Sequence, residues 1–137
     1  MTFCLNKSTT LVPIISFFIS LMNDITFRGR DIKYWLSARL SGDDETRWNA
    51  IDAIRHLCGS ERSVPLLLDT LRNDTYSGAR GLAAHALFDL AIDRDEGVNW
   101  AELMPHLLSA ANDPSDGVRE QIAEILNVLK APPDLHT

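Results

Sequence analysis

Cysteine is almost missing from this chain. Cys4 and Cys58 are the only two in 137 residues, they sit in no C-x-x-C pattern, and two thiols build neither a disulfide framework nor a zinc site. Cys58, inside an apolar helical run, reads as a small core residue, and such sparse cysteine fits a reducing, cytoplasmic setting. Glycine is also scarce, with seven residues, and none forms a phosphate-cradling loop after a strand. No G-x-S-x-G occurs, so no nucleophile constellation is visible and no catalysis is expected. Positive charge is short as well: thirteen Lys and Arg face nineteen Asp and Glu, a net charge of −6. From residue 31 onward the imbalance is ten basic groups against eighteen acidic ones. A chain of that sign is poorly suited to gripping phosphate backbones, which sets nucleic acid aside as a partner. What remains, 45% hydrophobic and 23% charged residues, is a globular composition in one domain's worth of chain.

Residues 1–22 stand apart from the rest. They carry Lys7 and no acid, and an apolar run from Leu11 to Met22 is interrupted near its start by Pro13. The run falls short of the roughly 18 to 20 residues that span a bilayer, and no small-x-small cleavage site follows it. Three readings fit: an uncleaved export or membrane-associating segment, an extra helix covering the N-terminal edge of the core, or a natural start at Met22. The expected organisation is this apolar segment, a repeat domain over 23–130, and a short tail over 131–137.

The repeat domain announces itself through three arginines. Arg47 and Arg80 are 33 residues apart, and Arg80 and Arg119 are 39 apart, spacings suited to two-helix repeats. Three residues after each stand Ala50, Ala83 and Ile122. Four after stand Ile51, Ala84 and Ala123; six after, Ala53, Ala86 and Ile125. Seven after are Ile54, Leu87 and Leu126, and ten after are Leu57, Leu90 and Leu129. The columns at +3, +4, +7 and +10 make one helical stripe, which defines a B helix in each unit. A shorter apolar A helix precedes it: Ile32 to Leu40, Val64 to Leu71, and Leu103 to Ala110. Asp44, Ser77 and Asp116, three residues before each Arg, are expected N-caps of the B helices, and Pro65 and Pro105 are expected near the A-helix starts.

The second unit reads Leu67-Leu68, Asn73-Asp74, Ala79-Arg80, Ala83-Ala84 and Leu87. The third reads Leu107-Leu108, Asn112-Asp113, Val118-Arg119, Ala123 and Leu126, and the first is a degenerate version with Asp43-Asp44 and Thr46-Arg47. Over about residues 30–130 this pattern resembles the HEAT repeat family, most closely its short bacterial, phycobilisome-lyase-like type. The resemblance implies an all-α, α-solenoid (armadillo-like) stack of about three helical hairpins, wound right-handed. It also implies an aspartate–arginine ladder between repeats, whose members here are Arg47, Asp74, Arg80, Asp113 and Arg119. The expected role is a non-catalytic protein-interaction scaffold without a cofactor. Two alternatives are an accessory protein handling a tetrapyrrole, as lyase-type relatives do, and a small acidic inhibitor or immunity protein for a basic partner.

With the buried stripe fixed, the opposite strip of each B helix runs at +1, +5 and +8. Its candidate partner-binding residues are Trp48, Asp52 and Arg55, then His85 and Phe88, then Glu124. Asp52, His85 and Glu124 would form an acid–His–acid row beside two aromatic anchors, suited to a basic protein partner. Successive helices about 8 to 10 Å apart keep such a row from converging on a metal. None of His56, His85, His106 and His136 is followed by Glu, so the His-Glu pairs of HEAT-type iron enzymes are missing. The connection Asp93-Arg94-Asp95-Glu96-Gly97 starts like a calcium loop, but its later ligand positions fail. It reads as a solvated acidic loop. Membrane contact, if any, would run through residues 11–22.

Overall fold

Six α-helices follow one another among residues 25–130, the part of the chain that the computed structural model describes. They are α1 (Ile32–Ala38), α2 (Asp44–Leu57), α3 (Ser60–Asn73), α4 (Ser77–Ile92), α5 (Trp100–Ala110) and α6 (Asp116–Lys130). The expectations for 1–22 and 131–137 fall outside the described residues. An isolated bridge between Phe27 and Arg30 is the one β pairing among the described residues. None of their helices is long and apolar enough to cross a membrane.

Each A helix folds back on its B helix, giving hairpins α1–α2, α3–α4 and α5–α6. The B helices then pack on one another, α2 on α4 and α4 on α6, more closely than the A helices do. The reason lies in α4. Ala79, Ala83, Ala84, Ala86, Leu87 and Ala91 are all buried, and they point to several sides of the helix rather than one. A helix with so wide a buried arc needs neighbours on several sides, and its alanines let α2, α3 and α6 approach closely, while His85 and Asp89 stay exposed. Its neighbours α2 and α6 keep one apolar and one polar face. The resulting core is continuous from Ile54 through Leu67, Leu87 and Leu107 to Ile122 and Ile125. A smaller cluster sets Trp35 and Ala38 of α1 against Ala50 and Ala53 of α2, and the Trp35 indole N–H donates to the Phe27 carbonyl at 3.0 Å.

The +3 and +6 columns are buried in all three units. At +4, Ile51 and Ala84 are buried whereas Ala123 is exposed, because among the described residues no helix packs beyond α6. Two local details differ from the sequence reading. Asp44, Ser77 and Asp116 are first residues of their helices rather than caps. Asp43 caps α2, its carboxylate accepting from the Thr46 amide at 2.8 Å, and Tyr76 precedes α4 without a side-chain cap. The A helices α3 and α5 also begin five residues before Pro65 and Pro105. Both prolines are exposed, as are Glu61 and Ala101 four residues before them. The carbonyls that lose a donor therefore face water, and the helix tolerates the ring.

The arginines tie the units together with a repeated geometry. Arg47 donates through Nε and Nη2 to the two oxygens of Asp74, both at 3.0 Å, and through Nη1 to the Ser41 carbonyl at 3.0 Å. Arg80 donates the same fork to Asp113 at 2.9 and 3.0 Å and its Nη1 to the Asp74 carbonyl at 2.9 Å. Arg119 keeps the third of these bonds, to the Asp113 carbonyl at 2.6 Å, and turns its other arm to Asp116. Each acceptor carbonyl lies six residues before its arginine, so the unit-one counterpart of Asp74 and Asp113 is Ser41 rather than the Asp43-Asp44 pair. Asp74 and Asp113 also accept from the Tyr76 and Ser115 amides at 2.8 Å. One carboxylate thus shapes its own turn and receives the previous unit's arginine.

Burial alone would push the Asp113 carboxyl up, but the Arg80 fork and the Ser115 amide outweigh it and hold the group below its ordinary range. A folded pKa below the unfolded one, near about 3.9, adds stability above that value. The contribution is lost as pH falls through the lower, folded value. Arg80 and Asp113 side chains are only 13% and 8% exposed, so Asp113→Asn leaves a poorly solvated cation without its counter-charge. The expected cost is about 3 kcal/mol at pH 7, shrinking on acidification; urea titrations at neutral and acid pH measure both.

Candidate interaction site

The B helices carry the candidate residues on a common side of the stack, but in unequal states. Trp48, Arg55 and Phe88 are half-buried, His85 and Glu124 are exposed, and Asp52 is 7% exposed. Asp52 therefore does not present an open carboxylate. A charge so deep must be paired, and both its oxygens are taken: Arg28 Nη2 donates to Oδ2 and Arg55 Nε to Oδ1, each at 3.1 Å. His56 Nδ1 donates to the Asp52 carbonyl at 2.7 Å.

From Asp52 a chain of polar contacts crosses all three B helices. Arg55 reaches over to α4, its Nη1 donating to Asp89 Oδ2 at 3.2 Å. The same oxygen faces His85 Nε2 at 3.7 Å, and His85 Nδ1 donates to Gln121 Oε1 on α6 at 3.1 Å. The Phe88 ring lies alongside His85, centroids 6.3 Å apart, while its other flank packs against the core. The acid–His–acid row of the sequence reading is thus a longer series, Asp52–Arg55–Asp89–His85–Gln121. Glu124 lies beyond it on the exposed face of α6 with Glu120 and Asn127.

Sequence reasoning missed Arg28, Asn49, Asp89 and Gln121. Asp89 and Gln121 lie one residue off the +1, +5, +8 strip, which a long arginine and an imidazole reach across. Asn49 lies next to Trp48, and its carbonyl oxygen accepts from Arg28. Arg28 comes from outside the repeats. Its only signal is the short Phe27-Arg28-Gly29-Arg30 segment, closed into a turn by Phe27 N–H to Arg30 O at 2.9 Å and the reciprocal bond at 3.2 Å.

Elsewhere the acidic loop serves the scaffold. Asp95 Oδ1 accepts from the Ser60 hydroxyl and the Gly97 amide, both at 2.8 Å. A Cβ at position 97 would run into Ser60 Oγ, so glycine is required by close approach. Among the described residues no group of three or more His, Cys, Asp or Glu is placed to hold a metal. Charge is uneven along the stack: residues 25–80 carry nine basic and eight acidic groups, residues 81–130 three and nine.

Arg55, Cys58, Ser63 and Asp89 line a cavity of about 310 Å³ between α2, α3 and α4. Burial pushes the Cys58 thiol up, with Arg62 opposing, which lowers its thiolate fraction. In a Cys4→Ser background the folded protein is expected to react with a thiol reagent at pH 8 severalfold more slowly than the urea-unfolded chain.

Residues 103–130 match the family model of the HEAT repeat, which covers the A and B helices of the third hairpin. No curated protein and no solved structure matches the chain.

Proposed function

We propose that this HEAT-repeat chain is a non-catalytic protein-interaction module that holds a basic partner on its B-helix face, in the cytoplasm. The observation that carries the reading is the ordered polar series from Asp52 to Gln121. Side chains from three repeats already lie against one another beside the half-buried rings of Trp48 and Phe88. Preorganised groups lose little entropy on binding, and aromatics with one flank already packed make effective anchors. Trp48, Phe88, His85 and Arg55 would contact the partner directly, with Glu124 and the neighbouring Glu120 attracting its positive charge. Asp52 would act through Arg55, as the charge that fixes the guanidinium. The excess of acid in residues 81–130 favours a basic partner and a fast, salt-sensitive encounter.

Affinity capture with the full chain, at low and high salt, tests this. The double variant Trp48→Ala, Phe88→Ala is expected to lose the captured protein by more than tenfold in affinity while helical circular dichroism is unchanged, and capture by the native chain is expected to weaken as salt rises. Capture that survives both substitutions would refute the placement.

A further inference from the structure

A left-handed turn in front of the repeats carries a side chain that does not suit it. Arg28 and Gly29 have φ of 52° and 79°. This two-residue turn with both central residues left-handed suits Asn or Gly and strains a residue with a Cβ. An arginine persists there because its guanidinium is well received. Asp52 Oδ2 accepts from it at 3.1 Å, Asn49 accepts from the other terminal nitrogen, and the Phe27 ring lies 4.8 Å from its central carbon. His56 stacks on Phe27 at 4.9 Å and 14°, holding that ring against α2. Two acceptors side by side with an aromatic ring at hand are what a planar, forked cation requires, and an ammonium cannot use them equally.

The two partners differ sharply in exposure. The Asp52 side chain is 10% exposed and the Arg28 side chain 48%. The acceptor is part of the scaffold, while the guanidinium stands between it and solvent. The geometry points to a guanidinium-binding site on α2, made by Asp52 and Asn49, that Arg28 fills from within the chain and that an arginine of a protein partner takes over by displacing it. The site adjoins the Arg55–Asp89–His85 series, so the arriving arginine would sit at one end of the proposed interaction face. Arg28 then holds the buried Asp52 charge satisfied until the partner arrives, and departure of its strained turn offsets part of the exchange.

This rests on the reading of the B-helix face, and its test is separable from that reading. Arg28→Gly removes the guanidinium and suits a φ of 52°, so the helical circular dichroism of the full chain is expected to persist. Titrated with an N-acetyl tri-arginine amide by calorimetry, Arg28→Gly is expected to bind at least tenfold more tightly than the native chain. The gain is expected to vanish in Arg28→Gly, Asp52→Asn and with the tri-lysine peptide. Should Arg28→Gly lose helicity, Arg28→Lys, which keeps a cation but not the fork, reads the same gain. Equal binding by native and variant chains, or equal binding of the lysine peptide, would overturn the site. If the native chain still captured its partner through Trp48 and Phe88, the interaction reading would survive that result.

Discussion

The alanine-rich helix α4 buries all but the strip that carries His85 and Asp89, and that single constraint organises the rest. Alone, the hairpin α3–α4 would expose one side of α4 to solvent; only α2 on one flank and α6 on the other remove it. Stability in such a stack is a sum of weak units and strong interfaces. The small residues at Ala83, Ala84 and Ala86 set how near the neighbours come. The arginine forks to Asp74 and Asp113 then fix the phase of each unit on the next, a job that apolar contact, being non-directional, does poorly.

The two ends of the stack are finished differently. At the first unit Ser41 stands where the later units place aspartate, so no carboxylate there awaits an arginine from a preceding copy. At the last, Arg119 satisfies itself on Asp116, and the outward side of α6 carries Glu120, Glu124 and Asn127 around the exposed Ala123. Among the described residues the apolar core runs from α1 to α6. Among the same residues the B-helix face brings polar side chains of three units beside the half-buried rings of Trp48 and Phe88.

Much of this architecture was legible in the residue order, because the helical period and the three arginines are local and repeated. The +3 column is buried as its spacing implies, while the +10 leucines are half-buried and the +6 column, outside the expected stripe, is buried. The A helix α3 ends at its Asn73-Asp74 stop, and α5 ends two residues before Asn112. The rest depends on partners far apart in the chain. Burial of Asp52 could not be read, since its position on α2 matches those of exposed His85 and Glu124; what differs is Arg28, 24 residues upstream and outside the repeat. The caps were placed one residue late because Asp43 and Asp44 are chemically alike, and only the backbone says which lies outside the helix. Pro65 and Pro105 misled for a related reason: a proline marks a helix start only if the preceding turn cannot form, and here its freed carbonyl is solvated.

Functional inference follows from the same hierarchy. The core fixes three B helices side by side, the arginine rungs fix their phase, and the series from Asp52 to Gln121 then runs across them on a common face. All of it presumes that α4 is the shared interior. Native-state hydrogen exchange measures that directly. Amides of Ala83 to Leu87 are expected to exchange only through global unfolding, at the highest protection in the chain and well above those of α1. If α4 exchanged as readily as α1, or if the hairpins opened independently with α4 unprotected, the shared interior would not exist and the account would be wrong.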